Sequence, residues 1–233
     1  MFSIYPLSEQ SVTIEFGNQI SDANADAIHD FNLLLKQNAF EGLVDTVSGY
    51  STLTIFYDII LVSKSELPGM NAFSKVSTYL ASLKDLLIVK NRVSNTVIEI
   101  PVFYGGQSGP DLQEVANHAQ LSIDEVINIH SISIYKVFMI GFVPGFPYMG
   151  GMDERISAPR KSTPKANIPA GSVGIAGAQT GVYPLNTPGG WQIIGITPLV
   201  LFDPKSTKPS LLSAGDSVKF VPITMNEYLD FQT

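Results

Sequence analysis

Residues 141–191 read GFVPGFPYMGGMDERISAPRKSTPKANIPAGSVGIAGAQTGVYPLNTPGGW. Ten glycines and seven prolines fall within positions 141–190, too many for a helix or a long regular strand. Glycine admits positive φ and close approach of other groups; proline freezes φ and removes a donor. So dense a run is expected to build fixed loops rather than regular ladders. The charge is lopsided as well. From Arg155 through Phe202 there is no Asp or Glu, while Arg155, Arg160, Lys161 and Lys165 are all present. In a chain of net charge −7 this is a local basic island. Fixed loops with uncompensated cations point to a surface that receives a carboxylate or a phosphate.

Working outward, residues 135–142, 191–197, 199–202 and 217–221 read as strands around that stretch, with turn residues between them. Many short strands at close spacing predict a closed or nearly closed β-barrel. Ahead of them lie a strand over 96–104 and a short helix after Pro110 carrying Leu112, Val115 and Ala119. Ser122 and Glu125 have capping-box spacing in front of Ile123, Val126 and Ile127. The first ninety residues differ. Val12, Ile14 and Phe16 alternate as a half-buried strand, and so do Leu53, Ile55, Tyr57 and Ile59. Ser21 caps a helix whose Ile28, Phe31 and Leu35 share a face, and Phe73, Val76, Leu80 and Leu83 share another. The fold class is therefore α+β. A domain over 1–92 precedes a barrel domain over 93–233, with the polar segment 90–95 as linker.

With 45% hydrophobic and 15% charged residues the chain is a packed globular protein. Its acidity argues against a nucleic-acid partner. Without cysteine there is no disulfide framework or thiolate metal site. No secretory signal or spanning segment stands out, so a cytoplasmic protein without membrane attachment is expected.

Familiar catalytic patterns are missing. The phosphate loop and the G-x-S-x-G elbow are absent, and the glycines at 171, 174, 177 and 181 fit barrel bulges and turns better than a nucleotide loop. Ser162 and Lys165 have S-x-x-K spacing, but Pro164 breaks the helix which that chemistry needs. Of the three histidines, His130 is the candidate acid–base group, although a structural place is the commoner fate of such a residue. No cluster has metal-ligand spacing. Phe142, Phe146, Tyr148, Tyr183 and Trp191 either line a pocket or fill the barrel. Arg155 and Arg160 are the anion candidates.

The blocks YGGQSGPDLQEVA (104–116), VINIHS (126–131), YKVFMIGFVPGFPYMGGMDERI (135–156), APRKSTPKANIPAGSVGIAGAQTGVYPLNTPGGWQIIGITP (158–198) and LFDP (201–204) resemble the family of 5-oxoprolinase B subunits. That family also includes Kip-type sporulation-kinase inhibitors and allophanate hydrolase subunit 1. The resemblance implies a small ferredoxin-like N-terminal domain followed by a cyclophilin-like β-barrel. It implies pairing with a C subunit and an A subunit, ATP being used by that complex to open 5-oxo-L-proline to L-glutamate. On this expectation Arg155 and Arg160 supply charge, and Gln179, Thr180 and Tyr183 supply hydrogen bonds. Phe142, Phe146, Tyr148 and Trp191 form the pocket wall or a partner contact. Two alternatives come with the same resemblance: inhibition of a sensor histidine kinase by protein binding, and a role within an enzyme acting on urea or allophanate.

Overall fold

The computed structural model describes residues 2–84, 86 and 97–231, and the linker expected at 90–95 lies outside them. The chain divides into two compact units, Met1–Val93 and Ser94–Thr233.

In the first unit, β1 (Ser3–Ser8), β2 (Ser11–Glu15), α1 (Asp22–Gln37), β3 (Leu43–Ser48), β4 (Thr52–Tyr57), α2 (Ile59–Lys64) and α3 (Ala72–Lys84) follow in order. The strands form one antiparallel sheet, β1-β2-β4-β3. Strand period puts Val12, Ile14, Leu53, Ile55 and Tyr57 on one face, and helical period presents Ile28, Phe31 and Leu35 of α1 and Val76, Leu80 and Leu83 of α3 to it. The Ser21 side chain accepts from the Asn24 N–H and starts α1 as expected. Ile59 departs from the expectation. It opens α2 rather than prolonging β4, because the Asp58 carboxylate accepts from the Ile60 and Leu61 N–H groups and caps a new helix. Strand β1 escaped the sequence reading. It is an edge strand with Tyr5 and Leu7 exposed, so it lacks the apolar alternation that marks a half-buried strand.

The second unit contains β5 (Val97–Tyr104), α4 (Leu112–Ala119), α5 (Ile123–Ile132), β6 (Ile134–Ile140), β7 (Pro147–Gly150), β8 (Lys165–Ile168), β9 (Ser172–Ala176), β10 (Gln179–Val182), β11 (Thr187–Gly189), β12 (Gln192–Ile196), β13 (Ser217–Pro222) and α6 (Met225–Asp230). Seven of its strands close a barrel in the order β10-β7-β6-β13-β5-β12-β9. The fold is mixed α and β with a closed seven-stranded barrel. Closure leaves the barrel no open edge. One seam is a parallel ladder from Ser217↔Val97 to Pro222↔Val102, joining the first and last strands of the unit. Ile100, Val102, Val137, Met149, Val173, Ile175, Val182, Ile194, Val218 and Phe220 fill the interior.

The Gly/Pro stretch is less irregular than expected. It supplies β7, β9 and β10 of the barrel, and β8 and β11 pair as a two-stranded flap outside it. These strands are three to five residues long, so turn residues dominate the composition even though each piece is a ladder. The strand expected at 199–202 shrinks to a single bridge, Phe202↔Ser210. The capping box at Ser122 and Glu125 forms, with the Glu125 carboxylate accepting from the Ser122 N–H at 2.8 Å. Among the described residues no helix is long and apolar enough to cross a membrane.

Helix α4 is docked tightly on β12. The Asp111 N–H donates to the Ile193 carbonyl at 2.9 Å, and a Cβ added at Gly109 would overlap the Ile194 carbonyl. Gly109→Ala is therefore expected to lower stability by about 1–3 kcal/mol through overpacking, measured by urea denaturation. An unchanged midpoint would mean that this approach of turn to strand is not fixed.

Candidate functional site

The turn over 141–146 sets one wall of the site. The Val143 N–H donates to the Gly141 carbonyl at 2.8 Å, a three-residue γ-turn centred on Phe142, whose φ is 65°. A bulky side chain rarely takes positive φ, so this residue is strained. A second turn follows at once. The Phe146 N–H donates to the Val143 carbonyl at 3.1 Å across Pro144 and Gly145, and Gly145 has φ 83°. Proline second and glycine third suit a type II turn. Gly145 meets a further constraint, since a Cβ there would lie 2.7 Å from Phe202 Cβ. Two tight turns in succession drop Phe146 into the interior and leave Phe142 exposed at the rim.

Phe146 is the hub of an aromatic cluster. Its ring centroid lies 4.8 Å from Tyr148, 5.1 Å from Tyr183 and 5.3 Å from Trp191, each pair edge to face. Phe142 leans on it at 5.7 Å. Such contacts each add about 0.5–1.5 kcal/mol beyond area burial. The cluster encloses one side of a pocket of ≈ 200 Å³, lined by Phe142, Phe146, Tyr148, Tyr183 and Trp191 together with Arg160, Pro164, Pro188, Gly189 and Gly190. Burial pushes the Tyr183 hydroxyl up to about 12, against a hydrogen bond from the Trp191 backbone. Burial also raises Tyr148, opposed by the Arg160 charge. Both phenols are therefore neutral donors near pH 7.

Arg160 is held by its neighbours. Gln192 Nε2 donates to the Pro159 carbonyl at 3.0 Å, and the Lys161 N–H donates to the Gly190 carbonyl at 2.7 Å. Lys161 Nζ pairs with Asp111 at 3.0 Å and Glu114 at 2.7 Å, and Lys165 Nζ pairs with Asp111 at 2.6 Å. The Arg160 guanidinium is exposed and makes no hydrogen bond or ion pair among the described residues. Lys161 and Lys165 of the basic island are thus neutralised through space by Asp111 and Glu114 at the start of α4, and Arg160 is not.

Six of the residues singled out from sequence come together at this pocket: Phe142, Phe146, Tyr148, Arg160, Tyr183 and Trp191. The others lie outside its lining. Arg155 sits on a 3-10 turn, Glu154–Ile156, and binds Asp153 with two nitrogens, Nε at 3.0 Å and Nη2 at 2.7 Å. It is not in the pocket lining, so the two arginines do not form one anion site. Gln179 opens β10 opposite Ala176, also outside the lining.

His130 and Thr180 face the barrel core. His130 is 0% exposed, stacks on Phe220 with centroids 4.5 Å apart, and has both ring nitrogens engaged. The Thr180 hydroxyl donates its one proton to the Gly174 carbonyl at 3.0 Å. It must then accept from His130 Nε2 at 2.9 Å, which leaves Nδ1 to accept from the Tyr104 hydroxyl at 2.7 Å. The chain of bonds runs one way and ends on a backbone carbonyl. It satisfies buried polar groups and gives His130 no proton to exchange with a ligand.

Asp111, Glu114 and Gln192 were missed from sequence. The links to 159–165 span 47 residues from Glu114, 54 from Asp111 and 33 from Gln192, and no local pattern signals them.

Burial drives the His130 imidazole down to about 3 from 6.5. Because the folded value lies below the unfolded one, its contribution to stability is whole above about pH 6.5 and is lost as pH falls toward about 3. In that window the wild type is expected to lose about 1.4 kcal/mol per pH unit more than His130→Gln, read from urea melts at several pH values. Parallel profiles would show that the imidazole is not buried neutral.

A family model of the carboxyltransferase domain, subdomain C and D, matches residues 2–212. The 5-oxoprolinase B subunit of Bacillus subtilis is 46% identical over 228 residues, covering 97% of this chain and 95% of that protein. The 5-oxoprolinase B subunit of Haemophilus influenzae is 40% identical over 222 residues, covering 94% of this chain and 97% of that one. The crystal structure of TTHA0988 superposes with a TM-score of 0.79 at 32% identity, over 92% of this chain but 40% of that longer one. The chain belongs to the carboxyltransferase-domain family of subdomains C and D, and within it to the group of 5-oxoprolinase B subunits.

Proposed function

We propose that this chain acts as the B subunit of a 5-oxoprolinase, the complex with A and C subunits using ATP to open 5-oxo-L-proline to L-glutamate. The observation that carries this reading is the pocket, where one guanidinium without a counterion stands against aromatic walls. Near-full-length likeness to proteins named as 5-oxoprolinase B subunits supports it. 5-Oxoproline has one carboxylate and a flat lactam ring. A guanidinium matches a carboxylate bidentately, and ring faces receive a flat amide. The lining presents the Arg160 guanidinium, the Trp191 indole N–H and the hydroxyls of Tyr148 and Tyr183, both phenols neutral near pH 7. They bind and orient the lactam and can stabilise negative charge developing on its oxygen. In this reading ATP use and delivery of water belong to the assembled complex, working in the cytoplasm. We also read the first unit as ferredoxin-like and the barrel as cyclophilin-like; the antiparallel sheet backed by helices and the barrel closure support this.

The test is reconstitution of the chain with its A and C partners, ATP and 5-oxoproline, with glutamate measured. Arg160→Ala is expected to raise KM for 5-oxoproline by about 10- to 100-fold, the worth of a charge-assisted hydrogen-bonded pair. No glutamate from an assembled wild-type complex, or an unchanged KM in the variant, would overturn the reading.

A further inference from the structure

The segment 160–165 carries three cations, Arg160, Lys161 and Lys165. Two of them are turned onto α4. Lys161 bridges Asp111 and Glu114, and Lys165 closes on the other oxygen of Asp111. Three cations against two carboxylates leave a single positive charge, and it resides on Arg160 at the pocket.

This neutralisation is built into the fold. Asp111 is buried, and the oxygen that receives Lys165 also accepts from the Ile193 N–H at 2.8 Å. Gln192, one residue earlier in β12, donates to Glu114 at 3.1 Å and to the carbonyl of Pro159, the residue before Arg160, at 3.0 Å. The strand that supports Trp191 therefore holds the carboxylates, and the carboxylates hold the lysines.

We propose that this ion clasp sets the charge specificity of the pocket: by cancelling two of three positive charges it withholds from a dianion the added attraction that would offset its larger dehydration cost relative to a monoanion. The inference rests on the reading of the pocket as the 5-oxoproline site. A dianion gains one more unit of Coulomb interaction than a monoanion from each positive charge nearby, and loses as much for each one cancelled. Removing one carboxylate charge from the clasp takes the local balance from one positive charge to two, and that favours the dianion. Discrimination of this kind works by withholding a favourable charge from the wrong ligand.

Trp191 is the only tryptophan of the chain and forms a wall of the pocket, so its fluorescence reports on occupancy. The full chain is titrated at low salt with 5-oxoproline, a monoanion, and with glutarate, a dicarboxylate. Wild type, Asp111→Asn, Glu114→Gln and Lys165→Met are compared. The wild type is expected to prefer 5-oxoproline. Asp111→Asn and Glu114→Gln should each shift the affinity ratio toward glutarate by roughly three- to ten-fold, and Lys165→Met should shift it the other way. All the shifts should shrink as salt is added. Glu114 is largely exposed, so its variant carries the test if Asp111→Asn fails to fold. Parallel loss of both ligands at a constant ratio, the signature of a merely structural role, overturns the inference while leaving the pocket assignment intact. No response of the wild type to 5-oxoproline overturns both.

Discussion

The Asp111 carboxylate is the contact on which the site depends. Burial by itself would raise its pKa, but hydrogen bonds from Lys165, the Ile193 N–H and Lys161 outweigh that and hold it below the usual carboxylate range. A buried charge is tolerated only when it is paired and its lone pairs are filled, and here a backbone amide and two ammonium groups fill them. The consequence is geometric. One carboxylate ties together the start of α4, the strand β12 that follows Trp191, and the chain that carries Arg160 and the flap strand β8. Removing it would leave Lys165 and the Ile193 amide unpaired, and Lys161 with Glu114 alone.

The aromatic wall has a different origin. Phe146 is almost fully buried and touches Tyr148, Tyr183 and Trp191 edge to face, so the four rings form one packed unit. The two successive turns at 141–146 position it, and strain at Phe142 is the cost of making them so tight. The rings at 5.7 Å and 6.5 Å from Phe142 help to hold that conformation. Strained residues at the rim of a pocket are a recurrent feature of ligand sites. The electrostatics and the packing meet at Trp191, whose backbone bonds the Tyr183 hydroxyl and whose neighbours in β12 anchor the clasp.

Much of this was legible in the residues, and the failures have physical reasons. Helix faces and caps are local, so Ser21, Ser122 and the apolar stripes of α1 and α3 were found from spacing alone. The barrel was legible from short strands and turn residues, but the strands inside 141–191 were not, because three to five residues carry little periodicity. Phe142, Phe146, Tyr148, Tyr183 and Trp191 could be grouped because loop aromatics between glycine and proline stand out. The basic stretch misled for one reason. Counting charge along the chain ignores carboxylates that arrive through space, and Asp111 and Glu114 come from a helix far away in sequence. The same count hides the partner of Arg155, since Asp153 lies just outside the acid-free run. His130 had no local signal to tell a core imidazole from a catalytic one; only its network with Tyr104 and Thr180 does so.

The central claim is that one unpaired guanidinium and a fixed aromatic wall together receive a small monoanionic lactam. A crystal structure of the chain, alone or with its partner subunits, grown with 5-oxoproline tests it most directly. Density for the ligand is expected with its carboxylate on the Arg160 guanidinium and its ring against Trp191 and Tyr148. A clearly bound 5-oxoproline elsewhere in the assembly, with this pocket empty or filled by a partner side chain, would contradict it.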